Sequence, residues 1–254
     1  MRIARSTIVS ANWTTLLREL VVTFIGVLMA LAVSALWSER QDRAKEHTAL
    51  TQLLATTREN ERIIAQAIFE DSSTMVIDGT LRRDFAAPTT TLPNDSVAVW
   101  LAWSAYMSTF EPLTGAYNAL TQSGDINLIR DAALRSTIVT YTGQLDAKIQ
   151  ALRIFESVGV ANFLSAFVDF PSPLRLWWAK PVGPAPSTGP LRRDARLEVL
   201  LTQRYTTAGN RVARLRRLRA QTVTLREALE KALKVSPVSP KPTHVIRNGM
   251  LAAS

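Results

Sequence analysis

The spacing of hydrophobic positions divides this chain into unlike parts. From Leu20 to Ser38 the run LVVTFIGVLMALAVSALWS is continuous and carries no charge. As a helix it spans about 28 Å, close to the roughly 30 Å hydrocarbon core of a bilayer. A core helix of that length usually keeps a polar stripe where one face meets water. Here only Thr23 and Ser34 interrupt the run, and their hydroxyls can bond back to helix carbonyls. Trp13 and Trp37 stand before and at the end of it, where indoles favour the headgroup level. A cleaved signal peptide competes with this reading, since Val33-Ser34-Ala35 has a small-residue pattern. The run exceeds the usual ~7–15 apolar residues of a signal sequence, however, and SERQDRAKEH continues it without a breaker. It reads as a transmembrane helix.

Beyond the run, hydrophobic residues recur at three- and four-residue steps, the period of one helix face. Residues 39–83 carry Leu50, Leu53, Leu54, Thr57, Ile64 and Ile68 on such a stripe, with Glu61 the polar exception. Pro88, Pro93 and Thr89–Thr91 mark a loop. A shorter helix from about Ser96 places Trp100, Trp103, Met107 and Phe110 on one side. Pro112 interrupts it, and another helix runs to Ser123. Gly124 suits the left-handed residue that ends many helices, and Asp131 suits the N-cap of the next. That helix, 132–169, aligns Leu134, Ile138, Tyr141, Leu145, Ile149, Leu152, Phe155, Phe163 and Phe167. Residues 171–190, with six prolines around Leu176-Trp177-Trp178, form a Pro-rich loop. The last helix, 193–234, has a seam of Leu201, Tyr205, Ala208, Val212, Leu215, Leu218, Leu225 and Leu229. Its three-residue step from Leu215 to Leu218 departs from a strict heptad, which favours a packed bundle over a long coiled coil.

The expected organisation is all-α. A short tail (1–19) leads into a transmembrane helix (20–38), which continues into a soluble antiparallel helical bundle (39–235); a flexible tail follows (236–254). Few glycines and no alternating β-branched runs leave little room for sheet.

Two blocks resemble an uncharacterised bacterial family of single-span membrane proteins. The first is LLREL, an apolar run, then LWSERQDR, with Arg18, Glu19, Trp37, Glu39 and Arg40 carrying the likeness. The second is AYNALTQSGDINLIRDAALRSTIVTY, through Tyr117, Leu120, Ser123, Gly124, Leu128, Ile129, Leu134 and Arg135. The resemblance implies a single-pass protein of the bacterial inner membrane with its C-terminal domain in the periplasm, and it supplies no activity. Charge alone leaves the orientation open, because Arg2, Arg5 and Arg18 before the span balance Arg40, Arg43 and Lys45 after it.

Composition narrows the chemistry. The chain has no Cys, which removes thiolate metal sites, disulfides and Cys nucleophiles. Its two histidines, His47 and His244, are far apart in sequence. Asp125–Asp131 lacks the Gly and closing Glu of a calcium loop and reads better as a capped turn. Ser123-Gly124 has no neighbouring base. No residue is therefore assigned a catalytic, cofactor-binding or metal-ligating role, and an enzyme is the least favoured class.

Charge is uneven. Residues 192–219 hold nine arginines against Asp194 and Glu198, a local +7 within a net charge of +9. Guanidinium groups grip carboxylates and phosphates through two bonds. Arg211, Arg214, Arg216, Arg217 and Arg219 are thus a candidate face for an acidic protein partner or an anionic lipid surface. The bland alternative pairs these arginines with acids of neighbouring helices, such as Glu59, Glu61 and Glu70. Nucleic acid is disfavoured, since no recognition motif accompanies the charge. Trp177 and Trp178 either cap the core or form an exposed anchor for a partner. Gly26 and Ala30 have the small-xxx-small spacing that permits helix pairing, hence a homo-oligomer. The features together favour a membrane-anchored, non-enzymatic interaction or scaffold protein. The alternative is a ligand-sensing bundle that signals through a partner.

Overall fold

The computed structural model describes residues 13–89, 91–105, 109–167, 174, 177–178, 180 and 183–235. Arg2, Arg5, Met107, Leu176 and the tail from 236 lie outside them, as do the side chains of Phe163 and Phe167. Every regular element among the described residues is helical: α1 (Trp13–Ala86), α2 (Asn94–Ala105), α3 (Gly115–Gln122), a 3-10 turn (Asp125–Leu128), α4 (Ala132–Phe167), α5 (Gly189–Arg192) and α6 (Ala195–Leu233). The chain divides into two compact units between Ala49 and Leu50.

In the first unit, α1 is apolar and uncovered. Leu20, Phe24, Leu28, Leu31 and Leu36 are all exposed, and no residue of the apolar window is buried. Length and composition suffice for this helix to cross a membrane. Past the apolar run it turns polar, and Arg43 reaches back to Glu39 at 2.6 Å across one helical turn.

The second unit is a bundle of α1 (from Leu50), α4 and α6. Partners of successive α6 residues run backwards along α1: Arg211 meets Asp71, Arg226 meets Glu61, and Glu230 meets Arg58. They run backwards along α4 as well, where Arg211 meets Glu156 and Thr222 meets Tyr141. Helix α6 is therefore antiparallel to both, and α1 and α4 point the same way. A parallel pair cannot be joined by a tight turn, so residues 87–131, with α2, α3 and the 3-10 turn, carry the chain back.

The seam of α6 corrects the expectation of a broken heptad. Leu197, Leu201, Arg204, Ala208, Arg211, Leu215, Leu218, Thr222, Leu225 and Leu229 are all buried, and their spacing alternates four and three without a break. Such alternation keeps one seam facing its neighbours, as in knobs-into-holes packing. Polar residues occupy Arg204, Arg211 and Thr222, so the apolar letters alone show an interrupted pattern. Helix α1 behaves alike: buried Leu50, Leu53, Thr57, Asn60, Ile64, Ala67, Asp71, Asp78 and Leu81 lie on one three–four register.

Local chemistry fixes the connections. Gly124 has φ +79°, a conformation that costs a residue with a Cβ more than it costs glycine. Asp131 caps α4 through its carboxylate, accepting from the N–H of Ala133 (2.9 Å) and Leu134 (3.1 Å). Asp194 caps α6 by accepting from Arg196 N–H at 2.8 Å. Asp84, near the end of α1, accepts from the N–H of Thr91 (2.8 Å) and Leu92 (3.1 Å) and pairs with Arg192 of α5.

Beside these, Leu81, Val97, Ala98, Leu101, Leu174, Leu191, Leu197 and Leu201 form an apolar cluster. Trp177 and Trp178 are half-buried against it. Trp178 donates its indole N–H to Ala98 O at 2.7 Å, and Trp177 donates to Gly183 O at 3.2 Å. Of the two expectations for the pair, capping the core is the one these contacts match, in place of an exposed anchor. An indole covers much apolar area, and its N–H is satisfied when it finds a carbonyl; both conditions are met at the edge of this cluster.

Candidate functional site

The interior of the bundle holds polar residues, several of them on the three–four seams of α1 and α6. Asn60 of α1 reads the backbone of Leu113 twice, donating to its carbonyl at 2.9 Å and accepting from its N–H at 2.7 Å. Thr57 pairs with the Tyr117 hydroxyl at 2.8 Å, and Tyr141 pairs with Thr222 at 3.0 Å. The two tyrosine rings lie 5.4 Å apart. All four side chains are buried, and buried polar groups of this kind rigidify a core only when they are partnered.

Further along, charge enters the interior. Arg211 is 0% exposed. Its Nε donates to Asp71 at 2.9 Å and its Nη1 to Glu156 at 2.9 Å, so one guanidinium ties α6 to α1 and α4 together. Glu156 also accepts from Phe110 N–H at 3.2 Å. Burial pushes the Asp71 carboxyl above the ordinary carboxylate range, even with Arg211 opposing the shift. One stretch further on, Asp78 bonds the Ser104 hydroxyl, while its second oxygen has no hydrogen-bond partner among the described residues. Burial raises the Asp78 pKa to about 6, against the pull of Ser104, Arg204 and Arg82. Burial lowers the Arg204 pKa in turn, while Asp78 and Asp71 support its charge. Asp84 differs: burial would raise its pKa, but the N–H groups of Thr91 and Leu92, with Arg192, hold it below the usual range.

These placements correct the expected arginine face. Arg211 is at the centre of the bundle, because it falls on the buried heptad register. Neighbours two apart on a helix point about 200° from one another, so Arg214 and Arg217 face α4 while Arg216 and Arg219 face α1. Arg219 approaches Glu61 at 3.8 Å, and Arg226, which sequence reasoning passed over, pairs with the same Glu61 at 3.0 Å. Glu230 is likewise buried and receives Arg58 at 3.0 Å and Arg226 at 3.4 Å. Glu59 pairs within α1, with Arg62 at 2.7 Å, and Glu70 accepts from Gln66 at 2.7 Å. Of the three acids expected to meet α6, Glu61 does so.

Two grooves border α6. One, of about 730 Å³, lies against α1 and includes Met75, Gly79, Arg82, Tyr205, Gly209 and Arg216. A Cβ on Gly79 would stand 3.2 Å from the Tyr205 ring, so the glycine permits this close approach. Arg82 stacks on the same ring at 5.3 Å. The other groove, of about 460 Å³, lies against α4, between Gln144, Lys148, Arg214, Arg217 and Gln221. Arg214 rests over the Phe155 ring at 4.9 Å. No grouping of His, Asp or Glu among the described residues is placed to hold a metal ion.

The fold and seam define an all-α protein built on a three-helix bundle with a charged interior. Comparison with known proteins adds no relative: no family model matches the chain, and no curated protein or solved structure does either.

Proposed function

We propose that this chain is a membrane-anchored, non-enzymatic interaction protein whose helical bundle docks an acidic protein partner. The anchor is the apolar part of α1, none of whose apolar window is buried among the described residues. The resemblance of its two sequence blocks supports the bacterial inner membrane as its location, with the bundle in the periplasm. The observation that carries docking is the outer surface of α6, where Arg214, Arg216 and Arg217 are exposed and form no ion pair among the described residues. The buried carboxylates with shifted acidity, Asp71, Asp78 and Asp84, are held inside the bundle by partners on neighbouring elements. They serve the fold, which supports a non-enzymatic role.

Affinity purification of the full-length protein from mild detergent, with mass spectrometry of its companions, tests this. A stoichiometric companion that is lost when Arg214, Arg216, Arg217 and Arg219 become Glu is the expected result. Purification of the protein alone, or of a companion indifferent to those changes, would overturn docking. Release of the chain from membranes by alkaline carbonate would overturn anchoring. The groove between α4 and α6 favours a second reading, a ligand-sensing bundle that signals through such a partner.

A further inference from the structure

The groove between α4 and α6 brings three cations together. Lys148 comes from α4 and Arg214 and Arg217 from α6, and among the described residues no Asp or Glu lines the space. Neutral partners hold these side chains in place. Lys148 donates to the Gln221 carbonyl, and the Gln221 amide donates to Gln144 at 2.8 Å. An ammonium has three protons, so Lys148 keeps donors for a ligand after bonding Gln221. The Arg214 guanidinium lies over the Phe155 ring at 4.9 Å and makes no hydrogen bond or ion pair among the described residues, so its N–H groups remain available. Buried Leu152 and Leu218 form the floor.

Three like charges gathered over an apolar floor repel one another, and no described acid in the groove offsets that repulsion. Burial lowers the Lys148 pKa, and the neighbouring Arg217 charge lowers it further. A bound anion would reverse the second effect. Planar guanidinium forks match tetrahedral phosphate oxygens, and a dianion answers this charge better than a single carboxylate does.

We infer that the groove of Gln144, Lys148, Arg214, Arg217 and Gln221 is a binding site for a phosphate-monoester dianion. Lys148 and Arg217 supply the principal contacts, Arg214 closes one side, and the glutamine pair presets Lys148. The same chemistry is offered by a soluble phosphate ester and by a phosphatidic-acid headgroup. The site deepens the docking reading, since it rests on two of the same arginines, but it needs no protein partner. A bound phosphate with no captured companion, and a captured companion with no bound phosphate, therefore separate the two ideas.

The test is titration of full-length protein in detergent with inorganic phosphate and with glycerol 3-phosphate at constant ionic strength, followed by calorimetry. Saturable one-to-one binding is expected, weakened about tenfold or more by K148Q or R217Q, as for loss of one charged hydrogen bond. R217K, which keeps the charge and loses the fork, should fall between. R216Q, on the other side of α6, should bind as the parent does. Thermal melting checks that each variant is folded, and NMR of the lysine side chain should show phosphate raising the Lys148 pKa. Nanodiscs with and without phosphatidic acid distinguish the sources: tighter association with the acidic discs, competed by glycerol 3-phosphate, assigns the lipid. Failure of phosphate to saturate, equal binding of acetate, or equal weakening by R216Q would each overturn the site.

Discussion

Replacing Arg211 with Met should be among the most damaging single changes this bundle can suffer. The guanidinium is fully buried and serves two carboxylates on two helices. Methionine fills much of the volume, so the loss is mainly electrostatic. Removing one partner of a buried pair costs about 3–5 kcal/mol, because a charge is left without compensation. Asp71 bears most of that cost; Glu156 is more exposed and keeps the Phe110 N–H. At about 2–4 °C per kcal/mol for a domain of this size, melting followed by circular dichroism should drop by about 10 °C.

The pH dependence is more diagnostic. Burial already raises the folded-state pKa of Asp71 above its ordinary 3.8. Such a group stabilises the fold fully below its unfolded pKa and loses that contribution as pH rises through the folded value. Without Arg211 the folded value rises further, so the deficit of R211M should be greatest near neutral pH and shrink on acidification. D71N/R211M should recover at least half of the lost stability at neutral pH. A melting point within about 2 °C of the parent, or a deficit that grows in acid, would refute the account.

Other perturbations follow the same seam. Asp78, with its pKa raised to about 6, contributes stability present below about 3.8 and lost as pH rises through about 6. The amount is about 3 kcal/mol over that window, and D78N should remove it from the pH profile of melting; an unchanged profile would count against burial of that carboxyl. N60A leaves the N–H and carbonyl of Leu113 unserved and should cost about 1–3 kcal/mol in denaturant unfolding, whereas an exposed Asn would lose almost nothing. D131A should cost about 1 kcal/mol as the cap of α4 is lost, with G124A showing a similar loss from its left-handed φ.

The helices were largely legible from the three–four spacing, and so were Gly124 and the Asp131 cap, because these are local. The α6 register was not. Its heptad is continuous only when Arg204, Arg211 and Thr222 are admitted to the buried face, and no local rule tells a buried arginine from a solvated one. The deciding acids, Asp71 and Glu156, lie 140 and 55 residues away in sequence. A count of arginines over 192–219 treated one helix as one surface, whereas its periodicity divides them between the interior and two sides. Sequence had suggested both roles for the tryptophan pair; the positions of Ala98 and Gly183 decide for the core. The α4 groove joins residues more than sixty positions apart, and neither helix alone announces it.

The antiparallel arrangement of α6 with α1 also sets an order in time. Charged residues of α1 wait for partners on α6: Asp71 pairs with Arg211 across 140 positions, and Arg58 with Glu230 across 172. At about 5–20 residues per second, roughly ten seconds of synthesis separate the end of α1 from the completion of α6. During that interval Asp71, Asp78 and Asp84 are free to remain hydrated and charged along the face of α1 that is later buried. Asp71 and Asp84, which pair with arginines in the finished fold, therefore spend that interval as solvent-facing charges on a helix whose cationic partners have yet to be made.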